Sequence, residues 1–328
     1  MSEITLVTGG AGFVGKALVQ KLRAAGERVL SFDLAPPEHV DDRQGSVTDP
    51  QALAGVMGGV TSVFHLAGNA QLWARDATVF DQINYQGTQI VADATRLARA
   101  RLVHCSSLTT LVGRETPIGP SVADEDSRIA PADMLGAYPK SKRKAEQAVE
   151  DTVKEGLDGV IAIPTEPLGP GDETLTPPTR MILDFANGKT PAFIDCILNF
   201  VPVESLADGL IAARDRGRRG ERYLLGGENM AMADLLAMIE KESGRPAPTT
   251  KMPYWVALAA GAIDTRLVAP ITGKPPKAPL TGVRLAGRQV SFSSAKAEKQ
   301  LNWKASPAGP ALRETIRWFS QRKLLNPV

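Results

Sequence analysis

Tyr138-Pro139-Lys140-Ser141-Lys142 sets a phenol and an ammonium four residues apart at the start of a helical pattern. Side chains at i and i+4 share one helix face. A phenol with an ordinary pKa near ~10 is a poor base at neutral pH, and a neighbouring ammonium favours its ionised form. Such a pair suits proton exchange with a hydroxyl. A second source of hydroxyls is the run Arg101–Ser107, which reads as a strand, and ligands bind at the carboxyl edge of a parallel sheet. Ser107 is therefore expected at the substrate oxygen, polarising a carbonyl or holding an alkoxide. Ser106, its neighbour in a strand of alternating faces, is expected to point inward. Thr109 stands in for Ser107 if the following loop turns sharply.

Elements must bring these groups together, and the chain begins with one that does. The apolar strand Ile4–Val7 runs into Thr8-Gly9-Gly10-Ala11-Gly12-Phe13-Val14-Gly15, which opens a helix with Val14, Ala17, Leu18 and Leu22 on its core face. Glycines at this place allow a tight turn and close backbone approach, and the N–H groups of the first helical turn face an anion. A second strand, Arg28–Phe32, ends in Asp33, eighteen residues after Gly15. A carboxylate there accepts both ribose hydroxyls of an adenosine and repels a 2′-phosphate, so NAD(H) is favoured over NADP(H). Asp49 offers a polar contact to the adenine, and Asp49-Pro50 equally reads as the N-cap and first residue of a helix Pro50–Met57.

Phe64-His65-Leu66-Ala67-Gly68-Asn69 ends a third strand, and the small Ala67 and Gly68 beside Leu66 let a cofactor lie close to the backbone. His65, isolated in an apolar strand, is expected to be structural. Asn84 on the next long helix, about residues 76–100, is placed to pin neighbouring backbone and to pass a proton through water.

Strands and helices alternate as far as Pro164, the pattern of a doubly wound parallel α/β sheet of the Rossmann kind. Beyond it Pro and Gly cluster, and elements shorten, as in a smaller C-terminal α/β substrate domain. The expected division is 1–168 and 169–328, with about 199–216, the strand Asn199–Val203 and the helix after it, returning to the first domain. The length of 328 residues accommodates both. A net charge of +2 without a basic run interleaved with aromatics argues against nucleic acid. Two cysteines, Cys105 and Cys196, and three histidines form no metal spacing. The first strand starts within five residues of Met1, leaving no signal peptide, and a reduced, cytoplasmic protein is expected. Trp255–Ile263 is almost wholly apolar but too short to span a bilayer. A buried helix of the smaller domain is the expectation, ahead of a roof over a lipid-like substrate or a shallow, peripheral membrane contact.

The ordered set of the glycine turn, His65-Leu66-Ala67-Gly68, Asn84 with Gly87-Thr88, Ser106-Ser107, Tyr138 to Lys142 and Gly169-Pro170-Gly171-Asp172 resembles the extended short-chain dehydrogenase/reductases over nearly the whole chain. The resemblance implies a tightly held nicotinamide, a catalytic set of Ser107, Tyr138 and Lys142, and homodimers packed through two long helices. It puts Gly9, Gly12, Gly15, Asp33 and Asp49 on the cofactor. Phe13, Val14, Leu66, Ala67, Gly68, Pro164, Tyr138 and Lys142 complete that set, and the ammonium also bonds a ribose. The stretches Gly220–Asn229 and Phe292–Ala297 look most like the hopanoid-associated epimerase and dihydroflavonol-reductase-like branch, near the 3β-hydroxysteroid and sterol-4-carboxylate dehydrogenases.

Nucleotide-sugar enzymes of this family usually carry an Arg-Pro ahead of an Asn-Val-Tyr-Gly-Pro-like stretch. Here the text is Ile163-Pro164-Thr165-Glu166-Pro167-Leu168-Gly169-Pro170, without that Arg or Asn. Lys274, Lys277 or Arg284 are the remaining cations for a diphosphate. The expected activity is therefore oxidoreduction between a secondary alcohol and a ketone on a small, largely apolar molecule of sterol, hopanoid or flavonoid type, with decarboxylation where a beta-keto acid forms. The alternative is a nucleotide-sugar epimerase or dehydratase that recycles NAD internally.

Overall fold

A computed structural model describes residues 3–326. Seven strands form one parallel sheet: β1 (Ile4–Thr8), β2 (Arg28–Asp33), β3 (Arg43–Gln44), β4 (Val60–His65), β5 (Arg101–Cys105), β7 (Asp158–Pro164) and β11 (Arg222–Leu225). Their order is β11-β7-β5-β4-β1-β2-β3. The chain moves outward from β1 through β2 and β3, then crosses to β4 on the other side of β1. That reversal opens a crevice at the carboxyl ends of β1 and β4, where the glycine turn lies.

Alternation along each strand builds two cores. Leu6, Val63, Leu102 and Ile161 bury on one face with Val91 and Val149, from helices α4 (Gly87–Leu97) and α5 (Ala137–Lys154). Val7, Phe64, Val103 and Val160 bury on the other with Leu18 and Leu22 of α1 (Phe13–Ala24) and Leu206 and Leu210 of α7 (Val203–Arg216). Apolar residues on both faces of every central strand require helices on both sides. The short α2 (Pro50–Ala54) packs against α4, and α12 (Ala295–Leu301) packs beside α7.

A third core lies beyond the carboxyl edge. It is formed by β8 (Glu166–Leu168), β10 (Ile197–Pro202) and β12 (Glu228–Ala231), in the order β12-β10-β8, with α6 (Pro177–Ala186), α8 (Met232–Ser243) and α13 (Ala308–Gln321). The strand expected at Asn199–Val203 joins this small sheet rather than the large one. Phe200 buries in the third core while Val201 turns to the α1/α7 core, so β10 bridges the two before α7 returns to α1. Two further pairs, β9 (Ala192–Phe193) with β13 (Thr250–Lys251) and β6 (Ser121–Ala123) with β14 (Val290–Phe292), tie loops to the C-terminal half.

The expectation of a buried helix at Trp255–Ile263 is overturned. Here α9 (Tyr254–Ile263), a π-helical stretch Asp264–Val268 and α10 (Ala269–Thr272) form one helical run, and only 17% of its most apolar window is buried. Its small residues Ala257 and Gly261 face α11 (Leu280–Ala286), and Trp255 and Ile263 point outward. An all-round apolar composition marks burial only when partners exist on every side.

Candidate active site

The glycine turn is built by close approach. Gly9 has φ +73°, and a Cβ there would stand 2.6 Å from the Ala67 nitrogen; at Gly15 one would stand 2.0 Å from the Gly9 oxygen. The Gly9 amide donates to the Phe32 carbonyl (2.9 Å) and the Gly12 amide to that of Gly9 (3.1 Å). No side chain caps α1 at Gly12, so the first-turn amides of Phe13, Val14 and Gly15 face the crevice. Asp33 accepts the Ala11 amide through Oδ2 (3.0 Å) and that of Ala35 through Oδ1 (3.1 Å), fastening the end of β2 to the turn. Backbone open to an anion with a carboxylate alongside fits a dinucleotide. Asp49 caps α2, its Oδ1 accepting the Gln51 and Ala52 amides at 3.0 Å each.

Opposite the turn, Tyr138 enters at the start of α5, buried against the ring of Phe80. The Ser107 hydroxyl accepts from the amide (3.3 Å) and hydroxyl (3.1 Å) of Thr109. Thr109 thus supports Ser107 rather than replacing it. Ser106 turns inward onto the Glu146 carboxylate.

The expected acidification of Tyr138 by Lys142 is not what the structure has. Burial pushes the phenol up to about 12, with the Ser107 hydrogen bond pulling it down and the Cys105 thiol adding to the rise. Lys142 instead donates to the Cys105 carbonyl (2.7 Å), and burial lowers its own pKa. A carbonyl left open at the end of β5 captures a side chain that helix spacing alone directs toward the phenol.

His65 is structural, as expected. Nδ1 pairs with the Thr8 hydroxyl (2.7 Å) and Nε2 with that of Thr88 (2.9 Å), while burial, then the Lys142 charge, pushes its pKa down to about 3. Asn84 sits on a π-helical stretch, Asp81–Gln86, that follows α3 (Thr78–Phe80) and leads into α4. It accepts the Asn69 amide (2.7 Å) and donates to the Asn69 carbonyl (3.0 Å) and the Ser141 hydroxyl (2.9 Å). The loop after β4 is so pinned to the helix that carries Tyr138.

Two features escaped the sequence reading. Glu146, fully buried, receives Thr110 (2.8 Å), Arg143 (3.1 Å) and Arg222 (3.0 Å) as well as Ser106, and so fixes the floor beneath Ser107. Its only sequence signal is the Lys142–Glu146 spacing on α5. The second follows Pro164 at the end of β7, beside β5: Thr165 Oγ1 and Glu166 Oε2 are both enclosed without a partner among the described residues. Burial alone pushes Glu166 up to about 8, and no cation offsets it.

A parallel sheet with a glycine turn at its reversal, facing a buried Ser–Tyr pair, defines a nicotinamide-dependent enzyme, and the chain belongs to the NAD dependent epimerase/dehydratase family, which it matches over residues 5–226. It is 32% identical to a putative dihydroflavonol 4-reductase of Synechocystis sp. (97% of this chain, 95% of that protein). Identity to sterol demethylase protein B of Methylococcus capsulatus is 29% (98% and 99%). Among solved structures, that of gox2253 superposes with a TM-score of 0.85 at 31% identity, covering 99% of this chain and 100% of that one. The expected branch and fold are those found, and the enzyme is an NAD-dependent oxidoreductase of the extended short-chain type.

Proposed function

We propose that the chain interconverts a secondary alcohol and a ketone on a largely apolar substrate, using NAD(H) and the set Ser107, Tyr138 and Lys142. The observation that carries this reading is the text Ile163–Pro170, which lacks the Arg and Asn that nucleotide-sugar enzymes of this family usually carry, in a site whose Ser107 and Tyr138 are buried.

On this reading residues 1–168 hold the cofactor and 169–328 the substrate, with about 199–216 rejoining the first unit. Gly9, Gly12, Phe13, Val14 and Gly15 hold the pyrophosphate. Asp33 and Asp49 hold the adenosine, Leu66, Ala67, Gly68 and Pro164 line the crevice, and Tyr138 and Lys142 reach the ribose. A nicotinamide held there would supply a hydride to the carbonyl carbon or take one from the carbinol carbon. Ser107 donates a hydrogen bond to the substrate oxygen. In reduction Tyr138 gives that oxygen its phenolic proton, and in oxidation it takes the hydroxyl proton back. A relative named as a sterol demethylase protein fits an extension in which a carboxyl beta to the new ketone leaves as carbon dioxide. Two copies pair through α4 and α5, and the free thiols Cys105 and Cys196 accord with a reducing, cytoplasmic setting.

Absorbance of NADH, followed with sterol ketones, dihydroflavonols and UDP-glucose, tests the reading. A ketone is expected to consume NADH, and Tyr138→Phe to lower that turnover by about 10²–10⁴-fold with NADH binding retained. Conversion of UDP-glucose without net NADH change, or an active Tyr138→Phe enzyme, refutes it.

A further inference from the structure

Half of the large apolar side chains exposed among the described residues, Trp255, Ile263, Leu267, Val268 and Ile271, lie on the single helical run Tyr254–Thr272. Trp255, Ala259, Ile263, Leu267 and Ile271 recur every fourth residue, with Trp255 73% and Ile271 84% exposed. Ala257, Gly261 and Ala269 face the protein instead. A contiguous apolar surface of this kind marks a contact. Nineteen residues are long enough to span a bilayer, but one side of this run is committed to the protein. A Cβ on Gly261 would lie 3.1 Å from the Ala278 oxygen, and Asp264 and Arg266 sit mid-run. The run lies along an interface, not across it.

Charge identifies what covers it. Residues 265–297 carry six basic side chains, Arg266, Lys274, Lys277, Arg284, Arg288 and Lys296, and no Asp or Glu, in a chain whose net charge is only +2. Arg266, Lys274 and Lys277 are exposed, and the Lys277 amide donates to the Asp264 carboxylate (2.7 Å), holding the basic loop against the helical run. A second copy docking stripe to stripe would bring these like charges together. We propose that Tyr254–Thr272 and the loop to Lys277 form the docking surface for an anionic lipid bilayer. The aliphatic stripe and the Trp255 ring enter the boundary between head groups and acyl chains, about 5–10 Å deep, while the basic side chains meet anionic head groups.

The surface lies one helix from the chemistry. Beneath it, Thr281 of α11 fills the space where Gly136 has no side chain, two residues before Tyr138, and Gly282 lies against Leu72. Resting on the reading of an apolar substrate, docking gives a lipid-dissolved alcohol or ketone a short route to Ser107 and Tyr138. The lipid contact itself stands without that reading.

Co-sedimentation of the full chain with vesicles of phosphatidylcholine, with and without phosphatidylglycerol, tests the proposal. Binding is expected on the anionic vesicles, with release by salt. Lys274→Gln/Lys277→Gln should weaken it about thirtyfold, since each basic group near such a surface contributes about fivefold. Leu267→Asp/Ile271→Asp should abolish binding with the melting temperature unchanged, because both side chains are solvent-facing. Three results overturn the proposal: no sedimentation with either vesicle, undiminished binding of the Asp variant, or an Asp variant that changes only the oligomeric mass. Vesicle binding is read without turnover, so its failure and that of the oxidoreductase reading are separate results.

Discussion

Replacing Glu166 by Gln keeps the shape of the side chain and removes the carboxyl that burial holds at a pKa of about 8, against 4.5 ordinarily. Folded protein keeps that proton up to about pH 8, whereas the unfolded chain releases it above 4.5. Between those values the folded state binds more protons, so raising the pH favours unfolding, at up to about 1.4 kcal/mol per pH unit. Stability present below pH 4.5 is thus lost by the time the folded group ionises near pH 8. Fully realised, the penalty amounts to about 5 kcal/mol. Glu166 is only part-buried, Oε2 being its enclosed oxygen, and solvent reduces the expectation to about 2 kcal/mol. Urea unfolding with saturating NADH, at pH 5 and pH 9, reads the effect. Glu166→Gln should match the wild type within error at pH 5 and exceed it by about 2 kcal/mol at pH 9. A difference independent of pH, or a variant less stable at pH 9, would show an ionised Glu166 paired with a cation and refute this reasoning.

Two further perturbations test the cofactor site. Gly15→Ala drives a methyl group into the Gly9 carbonyl, 2.0 Å from an ideal Cβ. Overpacking of about 1–3 kcal/mol should weaken NADH binding about five- to hundredfold in a fluorescence titration. Asp33→Ser with Leu34→Arg removes the carboxylate and puts a cation on the exposed neighbour. The preference for NADH over NADPH should fall by about tenfold or more, and an unchanged ratio of dissociation constants rules Asp33 out as its source.

Glycine spacing, apolar runs and the order of strand and helix made the cofactor half of the fold legible, because each is a local requirement. A tight turn needs glycine, and a strand buried on both faces needs continuous apolar residues. The strand end at Cys105 and the helix start at Ala137 were legible for the same reason, since both are short-range features. The Trp255–Ile263 segment was misjudged because composition records what a helix can bury and not which neighbours stand beside it. Glu146 was invisible because its partners Ser106 and Thr110, after β5, and Arg222, on β11, lie far from it along the chain.

The sequence by itself determined the parallel sheet and the glycine turn at its reversal. Only the tertiary structure decided the acidity and the surroundings of the site residues. Lys142 bonds the Cys105 carbonyl at the end of β5, Tyr138 is a weak acid because it is enclosed, and Glu166 lacks a cation because none packs beside it. Solvation and long-range partners set these properties, and neither is written in the spacing of residues along a helix.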